Sequence, residues 1–508
     1  MSRTKEAEVG KCYLVGAGPG DLGLVTLKAK RCVEKADVVV YDYLSNPAIL
    51  RWAQPGAELI YAGKKAKNHA IPQGGINALL IEKAKSGKTV TRLKGGDPMI
   101  FGRGGEEAQE LREAGVPFEI VPGISSAIAG PAYAGIPVTH RAHNSQLTIF
   151  TGHEDPTKVE SSIDYVHLAK TPGTKVFLMG VERIGAITGE LVKAGADAAT
   201  PVALVRWATT ERQESLVGTL EDIAAKVKEA NFKAPAVCVV GDVVGLREEI
   251  GWFEDRPLFG KKIVVTRTRK QAGVLSEKLR DLGADAYEIP TIRIDPPLEE
   301  KDFARLVIDA HTYSWIVFTS PNGVEAFFEM FYRAYKDARS IGGARIAAIG
   351  PGTAKKIKEY HLAVDVLPEE YVAESLVEAI LKEAGSVEHE MMLWVKAEKT
   401  REVVGEKLTE AGAIVDEAIS YRTVAETGDV SGGQERFKTD GADVITFTSS
   451  STVEHFLDLG LPMPEGVKIA SIGPITSETL RENGLNVDIE ATRFDIPGLV
   501  EAIERYYA

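Results

Sequence analysis

An internal duplication in the second half of the chain restricts its fold more tightly than any other feature. IGPGTAKKIKEYHLAVDVLPEEYVAESLVEAI at 349–380 aligns without a gap on IGPITSETLRENGLNVDIEATRFDIPGLVEAI at 472–503. A second shared motif precedes each copy, FTSPNGVEAFF at 318–328 and FTSSSTVEHFL at 447–457. Two motifs recurring in the same order describe one unit that reads strand, FTS turn, helix, strand, IGP turn, helix. A solenoid needs more copies than this to bury a continuous core. The pattern therefore predicts two similar α/β lobes facing each other.

The first half has the same local grammar without the repeat. Apolar runs such as YLVG (13–16), DVVVYD (37–42), FEIVPG (118–123), LTIFTG (147–152), KVFLMG (175–180) and AVCVVG (236–241) each lead into helical patterns. Strands that alternate with helices indicate α/β architecture. GWFEDRPLFGKK (251–262) breaks the rhythm, and a new strand, KIVVTRT (262–268), follows at once, which places the main boundary near residue 258. A chain of 508 residues has room for several folding units at roughly 100–200 residues each.

Composition narrows the function. The net charge of −13 argues against a general nucleic-acid binder, which carries a basic face. The polar start MSRTKEAEVGK predicts no signal peptide, and no apolar run reaches the roughly 20 residues of a membrane span. Cys12, Cys32 and Cys238 follow no metal-ligand spacing. They are expected as buried thiols in a reducing, cytoplasmic setting. His69 and His153 have no paired partner, so no metal site is expected.

Three glycine-rich loops carry the chemistry of the first half. VGAGPGDLGLVT (15–26) follows a strand, and Asp42 ends the next one, about 20 residues on, where a dinucleotide fold puts its ribose acid. The dinucleotide fingerprint nevertheless fails, because Asp21 stands where the third glycine belongs and Pro19 removes an amide donor. In RLKGGDPMIFGRGGEE (92–107), Gly95 and Gly96 let backbone face a ligand and Asp97 offers an acceptor. The loop lacks the lysine and Ser/Thr of a triphosphate site. In VPGISSAIAGPAYAGIPVTHR (121–141), Ser125 and Ser126 either cap a helix or present amides to a ligand at its start.

The ordered set VGAGPGD, YDYL (41–44), GK (63–64), RLKGGDP with FGRGGEE, VPGISSA, AGIPVTHR, TGH (151–153), LMG (178–180) and PAVCVVGDVV (235–244) resembles the uroporphyrinogen-III C-methyltransferase family of tetrapyrrole methylases. The likeness runs from residue 11 to about 245. It implies a two-lobed α/β domain over 1–257, with lobes about 11–122 and 123–250, usually a homodimer. Such an enzyme binds S-adenosylmethionine in its cleft and methylates uroporphyrinogen III at C2 and C7 to give precorrin-2. Carried over by position, Pro19, Gly95, Gly96, Asp97, Ile100, Ser125, Ser126, Met179 and Ala208 would contact the methyl donor. Asp42 would accept a proton and Lys64 would donate one. Ser125 and Ala208 depart from the threonine and glycine common in the family, but both remain small.

The residue types suit that reaction. A pyrrole carbon that attacks a sulfonium methyl must shed a proton, and a carboxylate held beside it can accept one. A polycarboxylate substrate also requires cations gathered against an acidic global field. AGKKAKNHA (62–70), Arg103, His140 and Arg141 supply them. The alternative for Asp42 is a strand-end turn residue, and for Lys64 a solvated charge.

KIVVTRTRKQAG (262–273), both FTS motifs, both IGP motifs and YRT (421–423) are similar to uroporphyrinogen-III synthase from about 260 to 508. The resemblance implies a domain over 258–508, with one lobe made of about 261–295 plus 425–508 and the other of about 296–424. It implies cofactor-free closure of hydroxymethylbilane with inversion of the last pyrrole. Ser320, Thr353, Ser449 and Thr476 are candidates to hold substrate carboxylates, and each is also a natural helix N-cap. Arg267 and Arg269 are placed to bind acetate or propionate groups, and Tyr421 either assists hydroxyl departure or simply packs. Small tetrapyrroles are the expected partners, with neither nucleic acid nor membrane. An alternative reading makes the first half a methylase of another tetrapyrrole and the second a non-catalytic ligand-binding module.

Overall fold

The computed structural model describes residues 9–63, 72–153, 162–267, 269–429 and 432–508. They form two compact units. One runs up to Lys262 and takes in Lys278–Ala286 and Tyr507–Ala508; the other comprises Ile263–Glu277 and Tyr287–Tyr506.

The first unit contains two five-stranded sheets. In the first, β1 (Cys12–Gly16), β2 (Val38–Tyr41), β3 (Glu58–Tyr61), β4 (Val90–Lys94) and β5 (Phe118–Val121) lie in the order β3-β2-β4-β1-β5, all parallel. A parallel sheet is covered by helices on both faces, so its strands are apolar throughout. Leu14, Val38 and Val40 enter one core, while Val15, Val39 and Leu93 enter the opposite one, as the two-residue period of a strand requires. In the second sheet, β6 (Leu147–Thr151), β7 (Thr174–Leu178), β8 (Pro201–Arg206), β9 (Glu214–Thr219) and β10 (Ala236–Val240) take the order β6-β7-β10-β8-β9. Only β6 and β7 run parallel there.

The second half adds β11 (Lys262–Val265), β12 (Asp285–Glu288), β13 (Ile292–Asp295), β14 (Trp315–Phe318), β15 (Arg345–Ala348), β16 (Met391–Ala397), β17 (Ile414–Ala425), β18 (Val444–Phe447), β19 (Lys468–Ser471) and β20 (Ile489–Glu490). They form two more five-stranded sheets, β12-β11-β18-β19-β20 and β13-β17-β16-β14-β15. The duplicated sequence becomes duplicated structure. β14, helix Pro321–Ala334, β15 and helix Pro351–Glu359 answer to β18, helix Ser450–Asp458, β19 and helix Pro474–Glu482. In both copies the FTS strand pairs in parallel with the IGP strand.

One boundary differs from expectation. The first lobe of this half is expected to take in about 261–295, yet β13 pairs antiparallel with β17, across Arg422–Ala425. The cause is strand length. β17 has 12 residues and β16 only 7, and the pairing with β16 ends at Tyr421. The overhanging backbone needs a hydrogen-bonding partner, and β13 supplies it. The chain therefore changes sheets between Glu288 and Ile292.

All three cysteines are buried. Burial pushes the Cys12 thiol up to about 12 and raises Cys238 and Cys32 as well. Because the thiolate is the reactive form, a chromogenic thiol reagent near neutral pH is expected to label the folded protein slowly. It should titrate three thiols once denaturant is added. Fast labelling of the folded chain would contradict this burial.

Candidate active site

The site of the first unit follows from strand register. Tyr41, Leu93, Val15 and Val121 are neighbours in one row across β2, β4, β1 and β5. The chain therefore leaves the sheet along a single edge, at Asp42, at Gly95-Gly96-Asp97, at Ala17-Gly18-Pro19 and at Pro122-Gly123. Strands in a sheet lie about 4.8 Å apart, and ligands of open α/β sheets bind outside the carboxyl ends of the strands. β4 lies between β1 and β2, which explains why the dinucleotide reading fails in space as well as in sequence. Asp42 flanks the second glycine loop, two strands away from the first.

Backbone packing joins the loops. Ala17 N donates to Lys94 O (2.7 Å), Gly18 N to Gly96 O (3.2 Å) and Gly96 N to Gly18 O (2.7 Å). A Cβ on Gly123 would lie 2.3 Å from Gly96 O and 2.8 Å from Gly16 Cα. Gly96 adopts φ +67°, a conformation that only glycine takes cheaply. Asp97, expected at the methyl donor, turns both carboxylate oxygens to backbone amides, Oδ1 to Met99 N (2.8 Å) and Oδ2 to Gly123 N (2.9 Å). It ties the second loop to the third. Ser125 caps helix Ser126–Tyr133 through Ala127 N (3.3 Å), so the capping role holds and Ser126 opens the helix. From the second lobe, Thr209 Oγ1 accepts Asp21 N (3.2 Å), and the turn at Ala208–Thr210 stands against Gly20. Ile100 (40% exposed) and Met179 (51% exposed, φ +59°) present apolar side chains outward, whereas Ala208 is buried.

Asp42 is held from two sides. Its Oδ1 accepts from Leu44 N (3.1 Å) and Ser45 Oγ (3.2 Å), and Arg92 Nη2 lies 3.5 Å from Oδ2. Behind it is a buried charge cluster that sequence reasoning missed. Arg92 Nε and Lys94 Nζ converge on Glu107 Oε1 at 3.4 and 2.7 Å, and Glu107 is fully buried, its Oε2 without a hydrogen-bond partner among the described residues. Burial lowers the pKa of Lys94, Arg92 adds to the effect, and Glu107 opposes it. The available signal was two cations spaced two apart inside an apolar strand, VTRLK, which puts both on one face. Arg103, in left-handed conformation, pairs with exposed Glu106 at 2.5 Å, and Arg141 is exposed. Lys64 lies outside the described residues.

In the second half, Tyr421 OH donates to Ser320 Oγ (3.1 Å), uniting two candidates. Ser320 also caps helix Pro321–Ala334 through Gly323 N, and Ser449 forms a capping box with Thr452. Thr353 and Thr476 are not caps. Gly350 and Gly473 hold those positions, proline takes the first helical position, as its fixed φ favours, and each threonine falls third. They are 3% and 4% exposed. Arg267 is half-buried, which lowers its pKa; the side chain of Arg269 is outside the described set. Among the described residues no group of three or more His, Cys, Asp or Glu could hold a metal ion, and no helix is long and apolar enough to cross a membrane.

Residues 11–224 match the family model for tetrapyrrole (corrin/porphyrin) methylases, and 273–501 match that for uroporphyrinogen-III synthase HemD. A Ruminiclostridium josui protein named porphyrin biosynthesis protein HemD is 37% identical over 497 residues, covering 98% of each chain. The chain belongs to this family of fused tetrapyrrole methylase–uroporphyrinogen-III synthase proteins. The methylase half of the fusion is also similar to a Methanosarcina barkeri protein named S-adenosyl-L-methionine-dependent uroporphyrinogen III methyltransferase. The two are 54% identical over 48% of this chain and 95% of that one. A solved Thermus thermophilus uroporphyrin-III C-methyltransferase, complexed with S-adenyl homocysteine, is 40% identical over 47% of this chain and all of that one, with a TM-score of 0.41.

The glycine junction of the methylase half is open to a direct test. Gly123→Ala overpacks it and is expected to destabilise this half by about 1–3 kcal/mol, read from the denaturant midpoint. Gly74→Ala has nothing within 4 Å of the new methyl and should be neutral or stabilising. Equal midpoints for the two variants would show that the junction tolerates a side chain.

Proposed function

We propose that the second half cyclises hydroxymethylbilane to uroporphyrinogen III and the first half methylates that product at C2 and C7 with S-adenosylmethionine, giving precorrin-2. The observation that carries the reading is the single sheet edge at which Asp42 stands beside Cβ-free turns, in a chain whose two halves match the two families. Those turns suit a donor with an amino-acid tail and an adenosine, since backbone can approach closely and no triphosphate-loop lysine is present. S-adenosylmethionine, when bound, supplies a methyl group already activated on sulfonium. Pro19, Gly95, Gly96, Asp97 and the helix start at Ser125-Ser126 hold it, and Ile100, Met179 and Ala208 cover its apolar parts.

Asp42 accepts the proton that the macrocycle sheds, and Arg92 and the Leu44 amide keep its carboxylate aimed. Lys64 serves as proton donor. Arg103 and Arg141 receive substrate carboxylates. In the synthase half, Tyr421, bonded to Ser320, assists hydroxyl departure. Arg267, Ser320 and Ser449 bind the carboxylate arms, and no cofactor takes part. The enzyme is cytoplasmic and dimerises through its methyltransferase half.

Incubation of the purified protein with hydroxymethylbilane and S-adenosylmethionine, followed by product mass and isomer analysis, tests both activities. The type III isomer and a product heavier by two methyl groups are expected. Hydroxymethylbilane closes by itself without inverting its last ring, so the type I isomer in place of type III would remove the synthase, and an unmethylated macrocycle would remove the methylase. Asp42→Asn should leave donor binding largely intact and lower methylation by about a hundredfold or more; undiminished turnover would take Asp42 out of the mechanism. Tyr421→Phe should slow cyclisation without changing the methylation rate of supplied uroporphyrinogen III, and an unchanged cyclisation rate would leave Tyr421 a packing residue.

A further inference from the structure

The segment at 251–256 lies beyond the methylase match at 11–224, yet it packs on helix Ser126–Tyr133, which starts at the third glycine-rich turn. Trp252 Nε1 donates to Ala132 O (3.3 Å). The rings of Trp252 and Phe253 flank Tyr133, with centroids 5.1 and 4.7 Å away. The Tyr133 hydroxyl, so placed, donates to Asp21 Oδ2 at 2.8 Å. Burial and the Asp21 carboxylate both raise its pKa, so it remains a donor. Asp21 immediately follows Pro19-Gly20 in the first turn.

A second path from the same segment reaches the same residue. Glu254 Oε1 accepts from Gln213 Nε2 (2.8 Å) and Ser215 Oγ (2.6 Å), and Oε2 pairs with Arg247. Gln213, thus held, accepts Thr209 N at 2.9 Å. That bond holds Thr209 at φ +68°, with its hydroxyl aimed at the Asp21 amide (3.2 Å). Both the amide and the carboxylate of Asp21 are therefore held by groups that rest on residues 252–254.

We infer that residues 252–254 are a strut for the methyl-donor turn, with Tyr133, Gln213 and Glu254 as positioning residues that set donor affinity without touching the donor. The inference rests on the proposed role of the Pro19 turn. Gly18 and Gly20 flank Pro19 at φ +75° and +145°, and glycine-rich backbone loses much entropy when ordered. A turn ordered in advance does not incur that loss on binding.

The test is calorimetric titration of S-adenosylmethionine into the full chain, wild type against Tyr133→Phe and Glu254→Ala. Each substitution removes a charge-assisted bond, and donor affinity should fall about tenfold in each. The donor KM should rise while the macrocycle KM stays constant. Hydroxymethylbilane cyclisation and the thermal midpoint, measured on the same samples, separate this effect from general unfolding. Wild-type donor affinity in both folded variants overturns the strut, as does a loss that only tracks a lowered midpoint. A folded wild-type chain that takes up no donor overturns the proposed function and the strut with it.

Discussion

Gly16, Gly96 and Gly123 pack backbone against backbone where β1, β4 and β5 end. A Cβ on Gly16 would lie 2.5 Å from Gly123 Cα, and one on Gly123 would lie 2.3 Å from Gly96 O. Because the three strand ends close to that distance, the reciprocal Gly18–Gly96 bonds form and Asp97 reaches the Gly123 amide. Three loops far apart in sequence thus become one surface, and Asp42 stands at the same edge, held by Leu44, Ser45 and Arg92. A wider junction would still leave an α/β sheet but would separate its loops.

The same edge concentrates charge in an acidic protein. Arg92 and Lys94 lie inside the sheet with Glu107 between them and Asp42 at the rim. Buried ion pairs are seldom a net source of stability, because desolvation offsets much of the attraction. Their retention behind a rim carboxylate fits a positional role, since Arg92 also donates to the carbonyls of Val40 and Leu93 and so ties β4 to β2, the strand that Asp42 leaves. Exposed Arg103 and Arg141 supply local cations outside this cluster.

In the second half, duplication does for hydroxyls what register does for glycines. Phe318 pairs with Ala348 and Phe447 with Ser471, so each FTS turn lies beside its IGP turn. The two copies then diverge in detail. Ser320 shares its oxygen with Tyr421, while Ser449 forms a capping box.

Much of this was written in the chain itself. The strand–glycine–helix alternation, the two repeated motifs and the three glycine loops were legible because strand periodicity and glycine's backbone freedom are local properties. Serine caps at 125, 320 and 449 were legible for the same reason. Tertiary structure alone decided the rest. Sheet order set β4 between β1 and β2, which put Asp42 beside the second loop. The overhang of β17 drew β13 into the other sheet. Proline at the first helical position displaced Thr353 and Thr476 from capping into the interior. Only packing brought Glu107 to Arg92 and Lys94, or Tyr133 and Thr209 to Asp21. Pairings between residues distant in sequence depend on which strands become neighbours, and that is a property of the whole fold rather than of any segment.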